Sequence, residues 1–207
     1  DKEKVISNIN FKFEKNIIYG ISGKSGSGKT TLVNLICGLF DPKSGEIFLN
    51  EKKIKSISST NLSLKIGYMP QEIFILNDTI KKNIAFGFDD NQINDEKFKL
   101  FLKKSKLLDF VLNLENNLNF KIKNYGKNFS GGQKQRIGIA RSLYNDNEIF
   151  IFDESTSSLD KKNELEIMNT VQELSKNACI IIISHKKEIL DLCDKIIDLW
   201  CLLFIII

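Results

Sequence analysis

The stretch Gly23-Lys24-Ser25-Gly26-Ser27-Gly28-Lys29-Thr30 constrains this chain most, because three glycines among small polar residues interrupt both elements that flank them. Ahead of it, Ile17–Ser22 is a short apolar run of strand character. Behind it, Leu32, Leu35, Ile36 and Leu39 recur at i, i+3, i+4 and i+7, the spacing of one helix face. Strand, glycine loop and helix in that order match G-x-x-x-x-G-K-[ST] in the setting that gives the pattern meaning. Glycines let successive N–H groups turn inward on phosphate oxygens, and the helix N-terminus adds partial positive charge. Lys29 is then expected to reach the β and γ phosphates and Thr30, followed by Thr31, to face the nucleotide, with the Thr30 hydroxyl on Mg²⁺. A glycine-rich turn without a ligand is the bland alternative, and the flanking strand and helix weigh against it.

Beyond the loop the apolar pattern keeps switching between short β-like runs and helical periodicity, the layout of an α/β fold. Glu46–Leu49 and Lys65–Met69 read as strands, with Pro42 and Gly45 as turn residues. From Asn77 to about Phe120 the sequence turns helical and polar, with Phe98, Phe101 and Leu102 on one face, and reads as an inserted helical lobe. Glu148–Phe152 and Cys179–Ser184 are continuous apolar runs of buried parallel-strand character, separated by a helix carrying Leu165, Met168 and Val171. The first of these runs ends in Asp153-Glu154. In an open parallel sheet ligands bind at the C-terminal strand ends, which places both acids beside the phosphate loop. Asp153 is expected to face Mg²⁺ and its water shell, and Glu154 to be the base that polarises the attacking water. Alone, an acidic pair at a strand end is more often a solvated turn.

A second glycine pair opens a helix at Phe129-Ser130-Gly131-Gly132-Gln133, with Ile137, Ala140 and Leu143 spaced for burial beyond it. A capped helix after a loop would account for it. It is equally a second anion cradle, with the Ser130 hydroxyl as an extra donor. One nucleotide does not need two cradles in one chain, so the duplication fits a second cradle serving a nucleotide held by another copy.

Taken together these motifs make the chain resemble the nucleotide-binding domain of ABC transporters over essentially its whole length. Gln71, in Tyr68-Met69-Pro70-Gln71, matches the Q-loop glutamine, which in that family contacts Mg²⁺ and the attacking water. Phe129 to Gln133 matches the signature, with Phe129 in place of the common leucine; Ser158-Leu159-Asp160 matches the D-loop; His185, after Ile180–Ile183, matches the switch histidine that contacts the γ-phosphate. The resemblance implies a P-loop NTPase core of the RecA type over residues 1–76 and 146–207, with a parallel-sheet ATP-binding lobe and a small antiparallel β portion. It also implies an α-helical subdomain inserted over residues 77–145. Signature residues Ser130, Gly131, Gly132 and Gln133, together with Asp160, would complete the ATP site of a second copy. ATP and Mg²⁺ are the implied cofactors. A second nucleotide-binding domain and transmembrane domains outside this chain are the implied partners, and the cytoplasmic face of the inner membrane is the implied location.

The run Asn77-Asp78-Thr79-Ile80-Lys81-Lys82-Asn83-Ile84 resembles the segment after the Q-loop in exporters, including flippases of lipid-linked oligosaccharides. Asn124 stands where exporters usually carry a glutamate toward the partner's coupling helix, and the family's adenine-stacking aromatic falls upstream of Asp1. An importer subunit, or a soluble ABC ATPase of translation or repair, is the competing reading; the absence of sustained heptads between Lys29 and Ser130 excludes most repair-type members. The net charge of +4 comes from 30 basic and 26 acidic residues interleaved without a basic block, so no nucleic-acid partner is expected. Cys37, Cys179, Cys193 and Cys201 have no C-x-x-C spacing and read as buried or free thiols, not as a zinc site or a disulfide framework. With no leader after Asp1 the chain reads as part of something longer, and the apolar end Ile196–Ile207 as a closing buried strand.

Overall fold

The computed structural model describes residues 6–7, 9–145, 147–154 and 161–199. In chain order its elements are β1 (Ile18–Ser22), α1 (Lys29–Ile36), β2 (Phe48–Leu49), β3 (Lys52–Lys53), α2 (Ser59–Ser63), β4 (Ile66–Met69), α3 (Ile80–Ile84), α4 (Asp95–Lys104), α5 (Leu108–Leu112), α6 (Gly131–Leu143), β5 (Ile149–Asp153), α7 (Lys161–Ser175), β6 (Cys179–Ile183), α8 (Lys187–Leu190) and β7 (Lys195–Asp198). By packing they fall into two units. The first comprises the described residues of Asp1–Tyr68, Asn147–Glu154 and Leu174–Ile207, the second those of Met69–Asp146 and Ser155–Glu173.

The first unit is organised by a five-stranded sheet in the order β4-β5-β6-β1-β7. β6 is central and buried along its whole length, as a run of cysteine and four isoleucines predicts for a strand covered on both faces. It pairs in parallel with β5 and with β1, and β1 pairs in parallel with β7. Because side chains alternate, Tyr19, Ile21, Ile151, Ile181, Ile183 and Ile197 share one face, and Leu32, Val33 and Ile36 of α1 belong to the same buried cluster. The helical period seen in the sequence runs one turn too far, since α1 stops at Ile36 and Leu39 is exposed. Gly38 is the reason: at φ 66° it takes a left-handed cap, with Gly38 N–H donating to Leu35 O at 3.1 Å and Leu39 N–H to Asn34 O at 2.8 Å. The antiparallel portion is a two-residue pairing of β2 with β3, shorter than Glu46–Leu49. β7 is an edge strand in which Ile197 is buried and Lys195, Ile196 and Asp198 are exposed, so within the described residues the expected closing strand is only partly buried. Residues 200–207 of that tail, and Cys201 with them, lie outside the described residues.

The second unit is helical. Phe98, Phe101 and Leu102 are buried as their spacing predicts, and Tyr144 packs on all of Phe88, Phe98 and Phe101 at 5.1, 5.1 and 6.0 Å between ring centroids. On α7 the buried face is Ile167, Met168 and Val171, whereas Leu165 is exposed. By packing this unit starts at Met69 and takes in most of α7. Ile73 lies against Gly138 so closely that a Cβ there would stand 2.6 Å from Ile73 Cδ1. On the other side Thr170 Oγ1 donates to Lys104 O at 3.1 Å, and Arg136 pairs with Glu166 at 3.5 Å. No helix among the described residues is long and apolar enough to cross a membrane.

Candidate functional site

The sheet of the first unit carries its polar residues on the C-terminal strand ends. Register places Asp153 of β5 opposite Ile183 of β6, and Ile21 of β1 opposite the same Ile183, so the acids, the residues after β6 and the glycine loop after β1 leave one edge together. In the loop, Gly23 at φ 153° and Gly28 at φ 95° adopt backbone that a side chain would strain, and a Cβ on Gly23 would meet Ser27 Oγ at 2.4 Å. Gly28 is the N-cap of α1 and supplies no side-chain acceptor, so the helix's first N–H groups are left to an external ligand. The Ser27 hydroxyl is buried with no hydrogen-bond partner in the protein. Lys29 is almost fully buried, its ammonium donating to Gly23 O at 2.8 Å and Lys24 O at 2.9 Å, which turns the charge into the loop. Lys24, Ser25, Gly26 and Thr30 are exposed and Thr31 is half-buried. A cavity of ≈ 300 Å³ opens beside the loop, lined by Ser22, Gly23, Lys24, Ser184, His185 and Asp198 among others.

Glu154 follows β5 in a left-handed conformation, φ 46°, with its N–H donating to Ile183 O at 3.0 Å. A non-glycine residue held there costs on the order of 1–3 kcal/mol and persists because the neighbouring strand fixes it. The turn aims its carboxylate across β6, where Oε1 lies 3.0 Å from His185 Nε2. That distance is within hydrogen-bond reach of an Nε2–H donor. Asp153 is half-buried and accepts at Oδ2 from the Tyr68 hydroxyl at 3.3 Å. Burial pushes the Asp153 carboxyl above its usual range, the Tyr68 hydrogen bond opposes this, Glu154 adds to it and Lys29 opposes it. Tyr68 is a site residue that the sequence does not point to, because its partner at the end of β5 is set by strand order.

The second cradle lies in the second unit. Ser130 caps α6 by accepting from Gln133 N–H at 3.2 Å, and Gln133 Oε1 accepts from Ser130 N–H at 2.9 Å, a reciprocal capping box. Phe129 packs edge-on against Phe110 at 5.5 Å and stacks on Phe120 at 6.4 Å, which accommodates the ring where a leucine is usual. Gln71 is exposed in the bend after β4 and is counted with this second unit. Ser158, Leu159 and Asp160 lie outside the described residues. The structure thus brings Lys29, Asp153, Glu154 and His185 to one edge of one sheet, and describes Gln71 and Ser130–Gln133 separately from them.

Comparison with known proteins decides what such a loop belongs to, because the description of the ABC transporter family matches residues 6–157. The chain belongs to the ABC transporter family. It is 35% identical over 198 residues to a probable ABC transporter ATP-binding/permease protein of Haemophilus influenzae, covering 96% of this chain and 36% of that protein. It is 34% identical over 200 residues to an ATP-dependent lipid A-core flippase of Ralstonia nicotianae, covering 96% of this chain and 34% of that one. A solved structure of a bacterial Atm1-family ABC exporter with ATP bound shares the fold with a TM-score of 0.87 and 29% identity, covering 96% of this chain and 34% of that chain. The chain therefore spans about a third of the length of the relatives it matches. The chemistry of this loop fits an anion such as phosphate: a helix start without a side-chain cap, a buried hydroxyl with no protein partner and a buried ammonium are all donors. For a cation, the Thr30 hydroxyl and the Asp153 carboxylate are hard oxygen donors, the kind Mg²⁺ takes alongside substrate phosphates.

Proposed function

We propose that this ABC domain is the motor of an exporter or of a flippase for lipid-linked glycans, hydrolysing ATP at the phosphate loop of its first unit. The observation that carries the reading is the Glu154–His185 contact at 3.0 Å on the strand edge that also bears the loop with the buried Lys29. Gly23 to Thr31 hold the triphosphate, Lys29 facing the β and γ phosphates. Thr30, Asp153 and, by resemblance to the family, Gln71 would hold Mg²⁺, which would neutralise charge on the phosphate oxygens. Glu154 polarises the attacking water as general base, and its hydrogen bond from His185 orients it for that task. His185 is placed to stabilise charge on the γ-phosphate as it develops.

Two copies share two nucleotides: Ser130 to Gln133 and Asp160 of one copy close over the phosphate loop of the other. Membrane-spanning domains convert this closure and reopening into transport, with the ATPase on the cytoplasmic face of the inner membrane. The names of the relatives, a flippase and ATP-binding/permease proteins among them, support export over import. Proteoliposomes holding this chain with its membrane-spanning domains, fused or separate, and with the ATPase outward, test the proposal. ATP should drive a fluorescent lipid or lipid-linked glycan across the bilayer, and Glu154→Gln should stop it. Movement independent of ATP, or untouched by Glu154→Gln, overturns it.

A further inference from the structure

Tyr68 lies within β4, one residue before the strand's last residue Met69, next to β5 in the sheet, and its hydroxyl donates to the Asp153 carboxylate at the end of β5. Phenylalanine would fill the same half-buried space, so what tyrosine adds is one donor directed at Asp153 Oδ2. An aspartate needs such a partner if its orientation is to matter. Rotation about its terminal torsion is broad and roughly two-fold, and nothing intrinsic to the side chain fixes the plane of its carboxylate. Cation binding with few protein ligands is sensitive to that plane, because Mg²⁺ demands near-octahedral geometry. Groups that hydrogen-bond to a metal's ligands set ligand orientation and carry a measurable share of metal affinity.

We propose that Tyr68 is a positioning residue that holds the Asp153 carboxylate in the orientation that receives the nucleotide's divalent cation. This rests on the reading of Asp153 as the metal carboxylate. Tyr68 touches neither nucleotide nor reacting atoms in this role; it acts through Asp153 alone. The alternative is a hydroxyl whose bond to Asp153 serves only to satisfy a buried donor, and the two differ in what removal of that hydroxyl does to metal binding.

The test uses the full chain carrying Glu154→Gln, so that no turnover intervenes, and reads the ratio of ATP dissociation constants with EDTA and with Mn²⁺. Tyr68→Phe should lower this metal-dependent gain about tenfold, the low end for loss of a ligand's hydrogen-bond partner since 3.3 Å is long for an O–H···O bond. ATP affinity in EDTA should change by less than about twofold, and the melting temperature should stay close to the parent's. Asp153→Ala should remove most of the gain, and adding Tyr68→Phe to it should remove no more. Incorporation of 4-aminophenylalanine at position 68 restores a donor and should restore the gain. An unchanged gain in Tyr68→Phe, a further loss in the double variant, or no recovery with the amino analogue overturns the role of Tyr68. If instead Asp153→Ala keeps the full gain, the metal reading of Asp153 itself falls, and the proposal with it.

Discussion

Replacing Lys29 by methionine keeps the length of the apolar stem and deletes only the ammonium, which separates the lysine's two tasks. That ammonium donates to Gly23 O at 2.8 Å and Lys24 O at 2.9 Å from an almost fully buried position. Hydrogen bonds from a charged donor contribute about 1.5–3 kcal/mol each, but burying the charge costs several kcal/mol, and exchanging a buried charge for an apolar group of similar shape is often near neutral. The fold should therefore lose no more than about 2 kcal/mol, a shift of a few degrees in melting temperature for a domain of this size. With ATP the balance differs, because truncating one member of a buried, hydrogen-bonded charge pair costs about 2–5 kcal/mol or more. ATP affinity should then fall by about 30- to 5,000-fold. Calorimetric titration with ATP, beside a melting curve without it, reads both. An unchanged dissociation constant in a folded variant refutes the placing of Lys29 on the phosphates. A collapse of the melting temperature would instead make the ammonium a structural clamp of the loop.

Glu154→Gln should keep ATP affinity within about threefold while single-turnover hydrolysis falls by at least about a hundredfold, since the amide keeps shape and loses the base; near-normal hydrolysis removes Glu154 from that role. His185→Ala should lower kcat more than it weakens ATP binding, and a weakened affinity with unaltered kcat in steady-state and binding measurements contradicts the γ-phosphate assignment. Lys29→Ala and Ser130→Arg, each combined with Glu154→Gln, should not dimerise on ATP alone. Mixed, they leave one intact site and should form an ATP-dependent heterodimer by light scattering at high protein concentration and low salt; no gain over the separate variants refutes a shared site. The Glu148 carboxyl is held below its usual range chiefly by its hydrogen bond from Lys65. A depressed carboxyl stabilises above its unfolded pKa and loses that contribution as pH falls through the folded one. The melting-temperature deficit of Lys65→Met should thus be largest near neutral pH and shrink as falling pH protonates Glu148, and a deficit constant with pH refutes the pairing.

The strand–loop–helix unit was legible because each residue there answers to a local demand. Apolar runs make β1, β5 and β6, and glycine alone tolerates the loop's dihedrals. The stops were harder to read. Leu39 continues the helical period, yet Gly38 ends α1 one turn earlier, so backbone chemistry overrides side-chain periodicity. Leu165 fits the same face as Met168 by spacing and is exposed, because the face of α7 that packs is centred on Ile167, Met168 and Val171. Of the candidate site, the identities of Lys29, Asp153, Glu154 and His185 came from sequence, but the left-handed turn at Glu154 did not. Glutamate has no preference for that conformation, and the bond to Ile183 of the next strand helps to hold it. Tyr68 was illegible for a similar reason, since its partner is 85 positions away and is set by strand order.

The capped-helix and anion-cradle readings of Ser130 to Gln133, opposed on sequence alone, turn out to be compatible. In the capping box the Ser130 oxygen acts as acceptor toward Gln133 N–H, and the Gln133 side-chain oxygen accepts from Ser130 N–H. Two backbone donors are thereby taken out of play. The cap leaves the hydroxyl hydrogen of Ser130 unspent, because a hydroxyl can accept through a lone pair and donate at once. The N–H groups of Gly131 and Gly132 also lie outside the box. Gln133, for its part, is occupied in holding the serine in place, so its contribution to a phosphate is indirect. The cap fixes the rotamer of Ser130 before any nucleotide arrives, and a donor already oriented loses less freedom on binding than one that must be ordered. If Ser130 serves a partner's phosphate as proposed, capping its own helix suits it to that task, and Ser130→Ala should weaken both the helix and the ATP-dependent dimer, whereas Gln133→Ala should weaken the dimer only as far as it loosens the cap.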